Sequence, residues 1–424
     1  MRKGAFVIIL GLLFGGCAAP QTYDLMPTPI LYVDSSIDPF AHLSKEHKSP
    51  RSHVYYATNR IPEESLDKTY YSNGISPDIR FGRATIRMGE PNLSWDKLEK
   101  SSLSARGSEP IPVILEEVEE KASVSQADNP TDIDIPSELN EFFSLINAEM
   151  STAVDKELMV YVHGTKVDFT NSTVLAAEVE HFGGRDFVSL AFAWPSHQNI
   201  FSYLLGIDVN RAQESSTALA HVLILLAERT IAEKINILSY SAGGRVTSKA
   251  LYELRNMYSQ LNTTQLRDTF RIGTVVYAAA DVEVDVFLER LGTTSELADQ
   301  VVITLSDKDN ALQAAKKYMG GTVRAGTSEA EDSETEFIAR EGLGNVSIID
   351  VSLGQQVRGF DIVGHHYWYR HPWMSSDIIF LMRTDLPPNR RGLQPTEHDS
   401  VWYLSAEYPR NVRDALKTEL GSQW

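Results

Sequence analysis

A serine in a tight turn between an apolar strand and a helix is the first candidate for chemistry in this sequence. The short apolar run at 234–238 leads directly into the turn Ser239–Gly243, which contains Ser241, and side chains at near-helical spacing follow from Val246 onward. A turn of this kind needs small residues two positions before and two positions after the serine, and Ser239 and Gly243 meet that condition. The pattern therefore predicts that Ser241 is a nucleophile held at a strand–helix corner.

Serine is also a frequent helix N-cap, and Ser241 could serve that purpose alone. An N-cap, however, needs neither small residues on both sides nor a strand that enters directly. A serine hydroxyl is a weak nucleophile until a neutral imidazole accepts its proton, and a carboxylate then fixes the tautomer of that imidazole. A catalytic Ser241 thus requires an acid and a histidine at the same edge of the sheet.

Acids and histidines do follow later strands of the sequence. In an open parallel sheet, reactive groups gather at the carboxyl ends of the strands. Asp281 follows one apolar run, and Asp307 and Asp309 follow the next. His365 and His366 lie beyond the last predicted strand, which gives the chain order serine, acid, histidine. Asp281 and Asp309 could instead cap helices, so the residues alone leave the acid open among three aspartates.

Acyl transfer also requires two backbone N–H groups that receive a developing oxyanion. The amide of Ala242 is the natural first donor, because it opens the helix after the nucleophile. We expect the second donor in the sharp turn after the apolar run 158–162, and we favour the amide of Thr165.

Apolar runs that alternate with helical patterns predict an α/β fold with a mostly parallel central sheet and helices on both faces. The predicted strands are residues 53–60, 80–88, 158–162, 187–192, 234–238, 273–279, 301–305 and 346–350. The first two could pair with each other. The polar, acidic stretch 99–136 predicts a surface loop, and 327–341 predicts a flexible excursion. We expect a single domain over 51–424, with its core at about 150–377.

The first residues of the chain predict export and lipid anchoring. Arg2 and Lys3 precede a short apolar run at 5–16, and small residues then lead into Cys17, the only cysteine. This pattern is typical of a bacterial lipoprotein signal peptide over residues 1–16. An ordinary secretory signal is the alternative. We expect a lipidated Cys17, a tether over 17–50, and a location at the outer membrane facing the periplasm, because Ala18 rather than aspartate follows the cysteine.

Composition excludes several other classes of function. The formal charge is −18, and no block rich in lysine or arginine interrupts it, so nucleic acid is not an expected partner. His365, His366 and His371 lack a carboxylate at a recognised ligand spacing, so we expect no metal site. The chemistry predicted for Ser241 needs no cofactor.

Nine short motifs occur in the same order as in a known family. They are Tyr56–Arg60, Phe81–Arg83, Val162–Thr165, Phe192–Ser196, Leu238–Arg245, Ala278–Asp281, Ser306–Leu312, Arg324–Gly326 and Gly364–His365. In these motifs the chain resembles the α/β-hydrolase family of bacterial envelope proteins of unknown function, in the esterase/lipase superfamily. The resemblance implies an α/β-hydrolase fold with Ser241 as nucleophile, Asp309 as acid and His365 as base.

The sequence thus predicts a lipid-anchored envelope serine hydrolase that acts on a small-molecule or lipid carboxylic ester through an acyl-serine intermediate. A catalytically inert binding or scaffold lipoprotein with the same fold is the main alternative. A peptidase or acyltransferase could use the same three residues, because the loops around the site select the acceptor and the leaving group.

Overall fold

The computed structural model describes residues 23–33, 37–63, 71–104, 110–128, 130, 136–199, 206–319, 321–352 and 364–419. Within them the chain forms one mixed sheet of twelve strands with helices on both faces. The predicted signal peptide at 1–16 and Cys17 lie outside the described residues.

The sheet has a parallel centre and antiparallel edges. The strands are β1 Tyr23–Asp24, β2 Arg51–Pro62, β3 Tyr71–Met88, β4 Pro112–Ser125, β5 Glu157–Val162, β6 Val188–Phe192, β7 Lys234–Tyr240, β8 Ile272–Ala278, β9 Ala298–Leu305, β10 Val346–Asp350, β11 Gln394–Pro395 and β12 Val401–Tyr403. Their order across the sheet is β1-β4-β3-β2-β6-β5-β7-β8-β9-β10-β12-β11. Every pairing from β2 to β12 in that order is parallel, and the outer pairings are antiparallel.

The described residues form twelve α-helices. They are α1 Trp95–Ser102, α2 Ser137–Thr152, α3 Phe169–Phe182, α4 Ile207–Arg229, α5 Gly243–Met257, α6 Thr263–Phe270, α7 Val284–Leu297, α8 Asn310–Tyr318, α9 Glu331–Glu341, α10 Tyr367–Arg370, α11 Pro372–Arg383 and α12 Tyr408–Glu419. Residues of α2, α4, α5 and α7 share one hydrophobic cluster, and residues of α3, α11 and α12 share the other.

The central strands are apolar throughout because helices cover both of their faces. In β5, Val160 belongs to the first cluster, whereas its neighbours Met159 and Tyr161 belong to the second. Successive side chains of a strand point to opposite faces, so the sheet lies between the two clusters. This packing aligns the carboxyl ends of β5, β7, β8 and β9 along one edge, as their parallel register requires.

The predicted pairing of the first two strands is confirmed, because β2 and β3 are antiparallel. The surface loop predicted at 99–136 is wrong, since β4 occupies 112–125 and pairs with β3. Its acidic residues form an ion-paired face, in which Arg83 bonds Glu119 at 2.9 Å and Arg80 bonds Glu120 at 2.7 Å. The acidic composition of this stretch reflects cross-strand ion pairing, so such a composition is compatible with a strand as well as with a loop.

The flexible excursion predicted at 327–341 is also wrong, because most of it is α9. Three acidic side chains lie in the first turn of that helix, where the helix dipole favours negative charge. Ile338 is buried in the core, and Gly342 ends the helix with φ of +66°.

The described residues between 23 and 50 pack against the body and do not form the expected tether. Leu31, Tyr32 and Phe40 are buried, and the Tyr32 hydroxyl donates to the carbonyl of Phe182. The prediction relied on the polar residues of this stretch, whereas its few apolar side chains determine where it lies. In the described part of the chain, no helix has the length and apolar character needed to cross a bilayer.

Candidate active site

Ser241 occupies a strained turn between β7 and α5. Its φ of +52° lies in the left-handed region, which a residue with a side chain rarely adopts. The turn is fixed by the Ser241 amide, which donates to the carbonyl of Ala278 (2.9 Å), and by the Ser241 carbonyl, which accepts from the amide of Asp281 (3.1 Å). A Cβ at Gly243 would lie 2.4 Å from the carbonyl oxygen of Val162, so this position requires glycine.

The structure brings Ser241, His365 and Asp309 together in one chain of hydrogen bonds. His365 Nε2 lies 2.8 Å from Ser241 Oγ, and His365 Nδ1 lies 2.7 Å from Asp309 Oδ2. An ionised carboxylate only accepts hydrogen bonds, so the pairing assigns the ring proton to Nδ1. Nε2 then presents a lone pair to the serine hydroxyl, as a general base requires.

Asp309 has two functions, one for each carboxylate oxygen. Oδ1 accepts the amide of Leu312 at 3.0 Å and caps α8, while Oδ2 accepts from His365. The side chain is fully buried. Helix capping and imidazole orientation were alternative roles in the sequence, and in the structure a single carboxylate performs both.

His365, rather than His366, faces the serine because of the glycine before it. Gly364 has φ of +72°, and a Cβ there would lie 2.0 Å from the carbonyl oxygen of Lys308. The backbone therefore passes directly over the loop that carries Asp309. His366 is the N-cap residue of α10 instead.

The other two candidate acids have different partners. Asp281 is buried, and its Oδ1 lies 3.6 Å from Arg245 and 3.4 Å from Arg324. The same two arginines pair with Glu283, and we call these four residues the arginine–carboxylate cluster. Asp307 is exposed and pairs with Lys308. Of the three aspartates, Asp309 carries the hydrogen bond to His365.

Burial and charge act in opposite directions within the arginine–carboxylate cluster. Burial raises the pKa of Asp281 to about 6, although Arg324 opposes that rise. Burial would also raise the pKa of Glu283, but hydrogen bonds from Arg245 and Arg324 lower it to about 2. Arg245 therefore has an intramolecular carboxylate partner, which supports a structural role for this side chain.

The two expected oxyanion donors belong to the segments that flank Ser241. Ala242 follows it directly, and the loop after β5 packs against it so closely that a Cβ at Gly164 would lie 2.9 Å from the Cβ of Ser241. Among the described residues, neither the amide of Ala242 nor that of Thr165 donates a hydrogen bond to another protein group. Both amides thus remain available as hydrogen-bond donors to a ligand.

A family model described as "Alpha/beta hydrolase of unknown function (DUF900)" matches residues 140–382, more than half of the chain. The chain belongs to this family. Ser241, Asp309 and His365 all lie inside the matched part, whereas β1 to β4 precede it. The resemblance and the fold class predicted from the motifs are confirmed for this α/β hydrolase.

Comparisons with solved structures and with curated proteins add little to the family assignment. A lipase-esterase related protein from Clostridium acetobutylicum is similar at 12% identity, over 46% of this chain and 74% of its own, with a TM-score of 0.19. No curated protein matches this α/β hydrolase.

Metal binding has no candidate among the described residues, where no group of three or more His, Cys, Asp or Glu side chains could hold an ion. His371, one of the three histidines considered for zinc, accepts the amide of Trp373 at 3.2 Å and caps α11.

Arg324 and Gly326 also support the site, although their sequence positions predicted no individual role for either. Arg324 is fully buried in the arginine–carboxylate cluster, and a Cβ at Gly326 would lie 2.6 Å from the amide nitrogen of Ala280. The available signal was their presence in a family motif, since a buried arginine cannot be recognised from sequence spacing.

Proposed function

We propose that this α/β hydrolase is a serine hydrolase that cleaves carboxylic esters through an acyl-Ser241 intermediate. One observation carries the proposal: a strained serine whose Oγ lies 2.8 Å from an imidazole that is itself hydrogen-bonded to a buried carboxylate. This arrangement has the chemistry needed to activate a hydroxyl group at neutral pH.

In the acylation step, Ser241 Oγ attacks the ester carbonyl while its proton passes to His365 Nε2. The carbonyl oxygen becomes an oxyanion, and the amides of Ala242 and Thr165 are our proposed donors to it. The tetrahedral intermediate then collapses, the C–O bond to the leaving group breaks, and His365 returns the proton to the departing alcohol.

In the deacylation step, water takes the place of the alcohol. His365 accepts a proton from the water as the water oxygen attacks the acyl carbonyl, and the bond between the acyl carbon and Ser241 Oγ then breaks. The proton returns to Ser241 Oγ and the carboxylic acid leaves. Throughout, Asp309 holds the imidazole orientation and stabilises the transient imidazolium.

The proposed location is the outer membrane, facing the periplasm, with lipidated Cys17 as the anchor. Its support is the basic and apolar pattern before the single cysteine. We predict that Cys17→Ser moves the protein from the membrane fraction to the soluble periplasmic fraction, because acyl chains supply about 0.8 kcal/mol per buried CH₂. Retention of the variant in washed membranes would contradict the anchor.

A fluorophosphonate probe tests the nucleophile, because it modifies activated serines. With protein lacking residues 1–17, we expect one added probe that peptide mapping assigns to Ser241. Ser241→Ala and His365→Ala should each abolish labelling. Ser239→Ala is the matched control, since Ser239 is a buried serine in the same strand, and it should label like the wild type.

The alternatives correspond to other outcomes of this test. A folded wild-type protein that does not react would contradict the proposal and favour the inert binding lipoprotein. If labelling occurs, p-nitrophenyl esters of graded acyl length and matched anilides distinguish esterase from peptidase activity. Turnover that requires an added alcohol would indicate an acyltransferase.

A further inference from the structure

The loop after β5, residues 163–167, contains the proposed second oxyanion donor, and we call it the oxyanion loop. Its neighbours hold it at two places through fully buried ionisable side chains, Arg60 and Asp208. Neither side chain contacts the three residues of the triad through any hydrogen bond among the described residues. Their position still bears directly on the proposed reaction.

Arg60, at the end of β2, has an oxygen partner for each of its five N–H donors. The guanidinium donates to Ala193 O (3.1 Å), Ser72 O (3.4 Å), Asn73 Oδ1 (2.6 Å), Val167 O (2.9 Å) and Trp194 O (2.6 Å). It therefore joins three segments: the oxyanion loop, the loop after β6 and the start of β3. Lysine has three donors on one nitrogen and cannot reproduce this planar fork.

The buried charge of Arg60 requires compensation by the groups around it. Burial lowers its pKa to about 9, and the nearby charge of Asp168 opposes that fall, so the group is a cation at neutral pH. Its direct partners are carbonyl and amide oxygens rather than carboxylates. A buried cation of this kind is stable only while those dipoles remain directed at it, so the loops that carry them are held in place as well.

His163, the first residue of the oxyanion loop, is part of the same contact. Its Nδ1 lies 2.7 Å from the carbonyl oxygen of Gly164. Its ring stacks on that of Trp194, with 5.2 Å between the ring centroids. Burial, followed by the charge of Arg60, lowers the pKa of His163 to about 3. The ring is therefore neutral, with its proton on Nδ1 and the lone pair of Nε2 facing Arg60 at 3.4 Å.

Asp208 holds the oxyanion loop at a second place. It lies in the first turn of α4, and its Oδ2 accepts the hydroxyl of Thr165 while its Oδ1 accepts the amide of His197 at 3.0 Å. Thr165 is thus fixed through its side chain, while its backbone amide donates to no other group in the described part of the protein.

We propose that Arg60 and Asp208 are positioning residues that hold the oxyanion loop against Ser241, so that the Thr165 amide receives the oxyanion. The inference rests on the proposed serine-hydrolase function. Gly164 already lies at the closest approach that Ser241 permits. A displacement of about 1 Å at such a position costs on the order of 10²-fold in rate, mainly in kcat.

Two near-isosteric variants test the Asp208 contact without large changes in volume. Thr165→Val removes the hydroxyl but keeps the backbone amide, and Asp208→Asn removes one of two acceptor oxygens. We expect each to lower kcat for a p-nitrophenyl ester by about 10- to 100-fold with KM nearly unchanged. In the double variant, kcat should fall no further than in the more impaired single variant, because both substitutions break the same hydrogen bond between Thr165 and Asp208. Thr165→Ser, which keeps the hydroxyl, should lower kcat less than Thr165→Val does.

Amide hydrogen exchange provides a readout that does not depend on activity. Exchange of residues 163–167 should accelerate in Asp208→Asn, Thr165→Val and Arg60→Lys while β5 stays protected. Asp377→Asn is the matched control, since Asp377 is also a fully buried acid but pairs with Arg391. That variant should leave the oxyanion loop and kcat unchanged.

The possible outcomes separate this inference from the proposed function. Unchanged exchange of the oxyanion loop, or faster exchange without a loss of kcat, would overturn the positioning role. A wild-type protein that neither labels nor turns over would instead contradict the serine-hydrolase function, and the exchange data would then decide whether Arg60 and Asp208 hold the loop. Thr165→Val and Asp208→Asn keep the test decisive if Arg60→Lys fails to fold.

Discussion

The two ends of the parallel sheet both bury ionisable side chains, but they pair them differently. At the carboxyl end, Asp309 contacts an imidazole and Asp281 contacts two arginines. At the amino end, the lining of a cavity of about 750 Å³ includes the buried Glu180 and the half-buried Glu149, and each accepts a hydrogen bond from a hydroxyl group.

At the amino end, burial favours the protonated form of both glutamates. Burial raises the pKa of Glu180 to about 8, and the neighbouring Glu149 adds to the rise. Burial raises the pKa of Glu149 as well, against its hydrogen bond from Tyr55. Ser52 donates to Glu180 at 3.0 Å. Serine and tyrosine hydroxyls keep their own protons at neutral pH, so these pairs provide no base.

A perturbed pKa is thus weak evidence for catalysis when it stands alone. At the carboxyl end, the decisive feature is the sequence of partners: a carboxylate, an imidazole and a hydroxyl held in a strained backbone. The arginine–carboxylate cluster lies at the same edge and has a buried acid too, Asp281, yet the two arginines of the cluster hold its acids in ion pairs. The comparison predicts that substitutions affect activity or stability according to the partner of each acid.

The largest effect should follow from Asp309→Asn. Asparagine can still cap α8 through its oxygen, but its amide group would face His365 Nδ1 and favour the wrong tautomer. We expect kcat to fall on the order of 10⁴-fold with a small change in thermal stability, measured on p-nitrophenyl esters.

Asp307→Asn is the control for this prediction, since Asp307 is exposed and two residues away. It should retain wild-type turnover. If Asp307→Asn were inactive while Asp309→Asn kept its activity, the hydrogen bond between His365 and Asp309 would not be the one that operates in catalysis.

A smaller effect, on stability, should follow from Asp281→Asn. The change leaves Arg245 and Arg324 with Glu283 as their carboxylate partner in the cluster. Because removal of one partner from a buried ionic group typically costs about 3–5 kcal/mol, we expect a loss of that order in the free energy of unfolding by urea. Activity of the folded fraction should fall far less than in Asp309→Asn. A stable but inactive Asp281→Asn would make Asp281 the catalytic acid.

Much of the parallel half was predictable because its signals are local. An apolar run buried on both faces marks a strand wherever it occurs, and the small residues around Ser241 mark the tight turn. Which of the three aspartates pairs with His365 could not be predicted from local sequence. It depends on Gly364, whose close approach to Lys308 places His365 over Asp309, and composition alone carries no such information.

The antiparallel half and the support of the site were harder to predict. In the sequence, the glutamates of β4 resemble those of a solvated loop. Only the structure shows that they belong to a strand that pairs with β3, which carries the arginines. Arg60 is a charged residue that the sequence would place at the surface, yet it is fully buried because carbonyl oxygens from separate loops converge on it. Predictions of this kind require the tertiary structure.

At the amino end no effect on activity is expected, and Glu180→Gln should change only the pH dependence of stability. In the folded protein Glu180 keeps its proton up to about pH 8, whereas its ordinary pKa is 4.5. Between those values the folded state binds one more proton than the unfolded state, so the free energy of unfolding falls as pH rises, by at most about 1.4 kcal/mol per pH unit. Glutamine does not titrate and still accepts from Ser52, so the variant should match the wild type near pH 4.5 and exceed its stability near pH 8. Urea unfolding across this pH range measures the difference, and Glu138→Gln, at an exposed glutamate, is the control. If the stability profiles of Glu180→Gln and the wild type run parallel, Glu180 is ionised in the folded protein. The two ends of the sheet would then differ less than the partners of their acids indicate.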